Sequence, residues 1–359
     1  MYGIAAAGGA YYCGAVFRLS PPSSSGGQWT EAVLYSFTGQ NGDGCVGYAS
    51  TPVFGSDGAL YGTTAYGGTY DVGTVFELQP PTTTGGPWTE SILYSFPGDV
   101  MAYGVSLLPG PEGNLYGTGP GGAYGQGMVF GLAPPQSPGA AWTEYEIYNF
   151  TGTVDGTLPQ SLIAGPKGRL YGTTAFGGAF SNGVLFELSP PDKAGLAWAE
   201  TTLWNFSIGI QNYSATASVS LYNDGAIFGF ADTSTGLAVF ELQPATGGTW
   251  TLAVLYTFPQ NGTVVSSPLI LRNGNLFGTT STITGYGGQG PGGDLFELQR
   301  PTDSREPWNE IIIHHFQQRD SPHGSIVFDS NGTIYGTTVS SNAAPHQGYA
   351  YQVTLPTAN

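Results

Sequence analysis

Four histidines, two cysteines and a sparse set of carboxylates are the residues with chemistry to offer in this chain of 359. The histidines fall late: His314, His315, His323 and His346. Adjacent positions on a strand point to opposite faces, so His314 and His315 cannot grip one ion together. His323 and His346 supply two ligands without a clear third, which falls short of a metal site. No Ser-His-Asp order, nucleophile elbow, phosphate loop or dinucleotide fingerprint occurs, so no catalytic residue and no cofactor is assigned. Cys13 and Cys45 lack a CxxC spacing; they form either one disulfide or two separate thiols.

The carboxylates recur, and recurrence shapes their meaning. Glu77, Glu187, Glu241 and Glu297 each follow a phenylalanine in phrases such as Val75-Phe76-Glu77-Leu78. They would either ring a channel and bind cations or serve as hydrogen-bonding residues of the strands. Arg18, Gly131 and Gln352 interrupt the ring. Trp29, Trp88, Trp142, Trp198, Trp250 and Trp308 open similar phrases, most with a glutamate two residues on (Glu90 and Glu144 among them). An indole can stack on a sugar ring, but a residue present in nearly every unit reads as packing, and a catalytic carboxylate is usually singular. Asp43-Gly44 and Asp155-Gly156 read as turns, since the six-ligand spacing of a calcium loop is absent. The better sugar-binding candidates are aromatic residues in glycine-rich loops: Tyr66, Tyr70, Tyr124, Phe176, Phe180 and Tyr286.

These phrases belong to a repeat of about 55 residues, a period that signals stacked supersecondary units. Leu60-Tyr61-Gly62-Thr63-Thr64 returns at Leu115, Leu170, Ile227, Leu276 and Ile334, and the chain opens on Met1-Tyr2-Gly3. Each unit runs through four short segments rich in β-branched and aromatic residues, separated by Gly, Pro, Asn or Asp. The first and fourth segments occur six times and the second and third seven times, which predicts 26 strands. The fold expected is all-β: a single β-propeller of seven blades, mostly of four antiparallel strands, with almost no helix. The first blade would lack its inner strand and the last its outer one. The alternative is six blades, with the last three strands pairing with the first Trp strand. The units divide at 1–49, 50–104, 105–159, 160–216, 217–266, 267–323 and 324–359, one domain over 1–359. Alternation in the fourth segment would place Trp29, Glu31, Val33, Tyr35 and Phe37 on one face. Of five Asn-x-Ser/Thr triplets, Asn149-Phe150-Thr151 and Asn205-Phe206-Ser207 fall on expected strands and read as chance.

Residues 60–96 resemble the bacterial GloVer tandem-repeat family, through Leu60 to Thr64, Gly67-Gly68, Gly73 to Leu78, Trp88 to Glu90 and Leu93 to Phe96. The resemblance extends over essentially the whole chain. It implies secretion or surface anchoring and no established catalytic activity. Two departures stand out: Ile313-His314-His315-Phe316 replaces the Leu-Tyr-Ser-Phe phrase, and the fifth repeat lacks its Gly-Gly loop.

Composition narrows the partners. The net charge is −16, from 24 acidic and 8 basic residues, which disfavours nucleic acid and docking on anionic membranes. Charged residues are only 9% of the chain, against about 25% in ordinary soluble proteins. No apolar run is long enough to span a bilayer. The chain opens inside a repeat without a signal-type segment, which reads as a trimmed form of a longer precursor. The expectation is a monomeric extracellular or cell-surface protein, non-enzymatic, binding polysaccharide or a surface protein. The alternatives are a secreted propeller enzyme acting on glycans, hydrolase or lyase, and a purely structural repeat protein.

Overall fold

The structure is a computed structural model. It describes all residues except 23–26, 41, 48–50, 98–106, 138–139, 194–195, 208–218, 223–224, 234–235, 260–262, 266, 283–291, 304–305, 318–319, 341–347 and 356–359. The described residues form seven antiparallel sheets, the blades of a seven-bladed β-propeller. The first sheet holds β1 (Tyr2–Ala5), β2 (Ala15–Ser20) and β3 (Thr30–Ser36). The second holds β4 (Val53–Phe54), β5 (Leu60–Thr64), β6 (Thr74–Gln79) and β7 (Thr89–Ser95). The third holds β8 (Leu107–Pro109), β9 (Leu115–Gly119), β10 (Met128–Ala133) and β11 (Thr143–Asn149). The fourth holds β12 (Thr157–Ala164), β13 (Leu170–Phe176), β14 (Val184–Ser189) and β15 (Ala199–Asn205). The fifth holds β16 (Ser220–Leu221), β17 (Ile227–Thr233), β18 (Gly236–Pro244) and β19 (Trp250–Thr257). The sixth holds β20 (Thr263–Val265), β21 (Ile270–Arg272), β22 (Asn275–Thr282), β23 (Gly293–Gln299) and β24 (Asn309–Phe316). The seventh holds β25 (Asp320–Phe328), β26 (Thr333–Ser340) and β27 (Ala350–Thr354).

The first and last sheets have three strands each, as the phrase count requires. The six-blade alternative fails because β1, β2 and β3 make a sheet of their own. The described strands number 27 rather than 26, because the inner strand of the sixth sheet comes in two pieces, β20 and β21, both paired with β22. Among the described residues helix is confined to two 3-10 turns, Pro111–Gly113 and Pro166–Gly168.

The chain divides into two compact units, Met1–Thr151 with Pro191–Trp198, and Gly152–Pro190 with Ala199–Asn359. In the first unit, one core cluster joins Ile4, Val16 and Phe37 of the first sheet to Leu60, Phe76 and Leu78 of the second. Another joins Tyr61, Val75 and Phe96 of the second to Leu115, Phe130 and Leu132 of the third. The second unit repeats the scheme between its own sheets, for example Phe228, Val239 and Phe258 with Leu276, Phe296 and Leu298. Each core therefore lies between consecutive blades. A blade alone buries neither face, which is why the repeat needs neighbours.

The glycine of the Tyr-Gly phrase makes this packing possible. Gly3, Gly62, Gly117, Gly172, Gly229 and Gly278 stand opposite Phe17, Phe76, Phe130, Phe186, Phe240 and Phe296 in the ladder, and Gly336 stands opposite Tyr351. A Cβ on Gly62 would lie 2.5 Å from Cζ of Phe76, and one on Gly229 2.7 Å from Cζ of Phe240. These strand glycines have no left-handed φ; what they supply is room for a ring to lie across the strand. The ring then meets the phenylalanine ending the preceding blade, at centroid distances of 5.0 Å for Phe37–Phe76, 5.5 Å for Phe96–Phe130 and 5.1 Å for Phe258–Phe296.

Strict alternation along the fourth strand does not hold. Every pairing of third and fourth strands carries a bulge, between Val16 and Phe17, Val75 and Phe76, Val129 and Phe130, Leu185 and Phe186, Val239 and Phe240, and Leu295 and Phe296. The extra residue sends two successive side chains toward one core. Leu34 and Tyr35 both pack on the first cluster, while Val33 is left exposed.

Replacing Gly62 by alanine should cost about 1–3 kcal/mol through overpacking against Phe76. The double variant with Phe76→Leu should lose less than the two single losses added together. Urea midpoints of the four proteins check this, and additive losses would remove the steric account.

Candidate functional site

The loops between second and third strands share one geometry in the first four sheets. Gly14 N–H bonds the carbonyl of Gly8 at 3.1 Å, Gly73 that of Gly67 at 3.2 Å, Gly127 that of Gly121 at 2.8 Å and Gly183 that of Gly177 at 3.0 Å. Each loop is a Gly-Gly pair, a small residue and an aromatic, followed by a residue of left-handed φ: Tyr12, Asp71, Gly125 or Ser181. Glycine suits the positive φ of both pair positions, such as 91° and 76° at Gly67 and Gly68. The end of the fourth strand fixes the loop from below. Ala10 N–H bonds Ser36 Oγ at 3.2 Å, Ala123 N–H bonds Asn149 Oδ1 at 2.8 Å and Ala179 N–H bonds Asn205 Oδ1 at 2.6 Å. Asn149 and Asn205, which look like glycosylation acceptors in the sequence, are these anchors.

The geometry leaves the aromatic that follows the small residue outward on each loop. Tyr11 is 58% exposed, Tyr70 59%, Tyr124 62% and Phe180 57%. Three of the expected residues, Tyr70, Tyr124 and Phe180, thus occupy one structural position, the tip of a braced hairpin. Tyr11 and its exposed neighbour Tyr12 were missed. The signal was present, because Gly8-Gly9-Ala10-Tyr11 aligns with Gly67-Gly68-Thr69-Tyr70. Phe176 ends β13 and is exposed. Tyr66 is half-buried; its backbone bridges to Cys45 and its ring covers Gly47. Tyr286 lies outside the described residues. In the fifth sheet the ladder of second and third strands extends to the pair Thr233–Gly236, with Thr233 Oγ1 donating to the Gly236 carbonyl at 2.7 Å.

Cys13 and Cys45 are joined by a disulfide. It ties the first hairpin to the segment that pairs with Tyr66 of the next blade, and Val46 N–H reinforces it on the Cys13 carbonyl at 2.8 Å.

The recurring polar residues work inside the scaffold. Glu77 accepts from Tyr61 Oη at 2.8 Å and Gln79 Nε2 at 2.9 Å. Glu187 accepts from Ser189, Glu241 from Gln243 and Glu297 from Asn275. All four act within their own blade. The tryptophans reach across instead: Tyr2 and Tyr61 meet Trp88 and Trp142 edge-on, each indole lying on the blade that follows the tyrosine in space, and Tyr116 meets Trp198 edge-on. Tyr256 Oη donates to Glu310 Oε2 at 2.7 Å, a second latch between sheets. Asp43 folds back on Thr38, accepting from its N–H at 2.7 Å and its hydroxyl at 2.6 Å. His315 pairs with Asp294 at 2.6 Å and His314 lies edge-on to Phe316, while His346 falls outside the described residues. Among the described residues no three metal-ligating side chains gather.

The family model described as the Gloeobacter/Verrucomicrobia repeat matches residues 1–238. No curated protein matches the sequence. A solved protein from Lactobacillus plantarum aligns at a TM-score of 0.60 and 13% identity, over 99% of this chain and 96% of that one. An ancestral GH74 enzyme aligns at 0.51 and 12% identity, over 95% of this chain and 49% of that one. At these identities the likeness is one of fold.

Burial, and secondarily the charge of Asp43, push the Glu90 carboxyl up to about 7. The folded protein therefore holds this proton more tightly than the unfolded chain. The resulting stability is complete below about pH 4.5 and is lost as pH rises through about 7. Glu90→Gln should leave urea stability unchanged at pH 4.5 and raise it by on the order of 1 kcal/mol at pH 8, after allowance for solvent screening. An equal effect at both pH values would contradict the assignment.

Proposed function

The chain belongs to the Gloeobacter/Verrucomicrobia repeat family, and we propose from that premise that it is an extracellular, non-catalytic recognition module whose hairpin tips hold polysaccharide. The observation that carries the reading is the near-equal exposure of Tyr11, Tyr70, Tyr124 and Phe180 at one braced loop position. A packing aromatic would be covered. A ring kept in water at four matching positions costs hydration, and the backbone bonds beneath it set its direction. Sugar rings present apolar C–H faces that stack on such aromatics, with little demand for charge. A single contact of this kind is weak, and the three of the first unit, Tyr11, Tyr70 and Tyr124, act together along a polymer.

The Cys13–Cys45 disulfide favours an oxidising compartment, hence the extracellular or cell-surface location. No helix among the described residues is long and apolar enough to cross a membrane. The acidic net charge favours neutral glycans over sulfated or phosphorylated ones. Stacking on a neutral polymer carries no ion pairing, so the binding should change little with salt.

Purified protein should be retained on one or more insoluble neutral polysaccharides without release of new reducing ends. The variant Tyr11→Ala/Tyr70→Ala/Tyr124→Ala should lose retention while keeping its melting temperature, and each single change should weaken it about three- to tenfold. Product release in the same tubes would replace this reading with a glycan-cleaving enzyme. Retention unaffected by the triple variant would move the site elsewhere.

A further inference from the structure

At the other end of the strands from the hairpin tips, the second and third sheets of the first unit enclose a groove of about 920 Å³. It lies between the turn joining β4 to β5 and the turn joining β8 to β9, both at the opposite strand ends from the loops that carry Tyr70 and Tyr124. Its walls combine three aromatic rings, Phe54, Tyr61 and Trp142, with three carboxylates, Asp57, Glu77 and Glu112. Among the described residues no Lys, Arg or His lines it.

Its geometry is braced. Tyr61 and Trp142 meet edge-on at 5.9 Å, and Tyr61 Oη is committed to Glu77 at 2.8 Å. Gln79 Nε2 bridges Glu77 at 2.9 Å and Asp57 at 3.3 Å, which keeps both carboxylates at the wall. Asp57 is held further by the Ala59 N–H at 3.1 Å. Glu112 stands exposed at the apex of its turn, and Phe54 is half-exposed.

The groove is acidic where the corresponding place on the fourth sheet is neutralised. At the place of Glu112 the fourth sheet has Lys167, in the matching turn Pro166–Gly168. There Glu187, the counterpart of Glu77, is neutralised by Arg169 at 3.3 Å. Beside Glu77 the position of Arg169 is taken by Ala59. The fourth sheet thus carries a neutralised version of the same position.

We propose that this groove is a second binding site, for a short oligosaccharide bearing protonated amino groups. The volume is that of a site for several linked rings rather than a lone ammonium ion. Aromatic walls suit both the apolar faces of pyranose rings and an adjacent ammonium group. Carboxylates accept hydrogen bonds and cannot donate them, so the ligand must bring the donors. Hydroxyls would satisfy the geometry but leave three negative charges uncompensated in an already acidic protein. Ammonium groups satisfy both. Anionic glycans are repelled by the same charges.

The test is calorimetric titration of the intact protein with the β-1,4-linked tetramer of glucosamine, at low salt and at a pH where its amines are protonated. The fully N-acetylated tetramer and the glucose tetramer are the comparison probes. The glucosamine tetramer should bind at least tenfold more tightly than either, and should weaken as salt is raised. Glu112→Gln, a change at an exposed turn, should weaken it about fivefold, and Phe54→Ala should weaken it as well. The Tyr11→Ala/Tyr70→Ala/Tyr124→Ala variant should bind this probe as the parent does, which separates the groove from the hairpin tips. Equal binding of the N-acetylated or glucose tetramer, indifference to Glu112→Gln, or no binding of the glucosamine tetramer would each overturn the proposal.

Discussion

An aromatic ring lying across a glycine on the neighbouring strand is the contact on which the other packing depends. The strand pair can accept the ring only where the Cβ is missing, because the added atom on Gly62 or Gly229 would sit within 2.5–2.7 Å of the ring. Once laid flat, the ring reaches the phenylalanine that ends the previous blade. Burying a phenylalanine contributes about 1.5–3 kcal/mol, and an edge-to-face pair adds about 0.5–1.5 kcal/mol. Phe37, Phe76, Phe96, Phe130, Phe240 and Phe296 are all fully buried in this way. The bulge beside each ring follows from the same demand. In the first, second, fourth and fifth sheets it turns the fourth strand so that a leucine and the next residue, such as Leu93 and Tyr94, both pack on the shared core.

The polar residues of the repeat are arranged around that core and are consumed by it. Tyrosine and tryptophan meet from consecutive blades, and the glutamate of the Trp-x-Glu phrase receives the neighbouring blade's tyrosine where Glu310 meets Tyr256. The same burial that makes these latches holds the Tyr94 hydroxyl up to about 12 and raises the Glu144 and Glu200 carboxyls. Shifted proton affinities here report packing between sheets. They recur with the repeat, whereas groups assembled for one reaction would stand at a single place.

Much of this was legible in the sequence, because the contacts recur at fixed spacing. Seven copies of Tyr-Gly or its Phe-Gly and Ile-anchored variants, six Trp segments and the incomplete first and last units sufficed for seven sheets with three-stranded ends. Three features were not legible. The bulge inserts no unusual residue, so nothing in Trp29 to Phe37 marks where alternation stops. The disulfide joins positions that only the fold brings together, Cys13 on a hairpin and Cys45 beyond a strand. The acidic groove draws on Asp57, Glu77 and Glu112 from two sheets, and each is unremarkable in its own phrase. Tyr11 differs: its loop matches the later ones, and alignment of the Gly-Gly pairs alone identifies it.

The separation of framework from tip explains how such a repeat can carry specificity at all. Ser36, Asn149 and Asn205 end strands whose next residue is a buried phenylalanine, and their side chains hold the hairpin above. The tip is thereby fixed by the core, yet its aromatic makes no demand on the core. Substitution at Tyr11, Tyr70, Tyr124 or Phe180 is free to change what is presented without disturbing how it is held. The fifth sheet marks the limit of this freedom. It lacks the Gly-Gly pair, and its ladder, from Ile227–Leu242 to Thr233–Gly236, stays intact. The core thus specifies the blade and tolerates any tip that its strand ends can support. Chemistry particular to this chain is therefore expected where the repeat is broken, at loop tips and at turns such as that of Glu112.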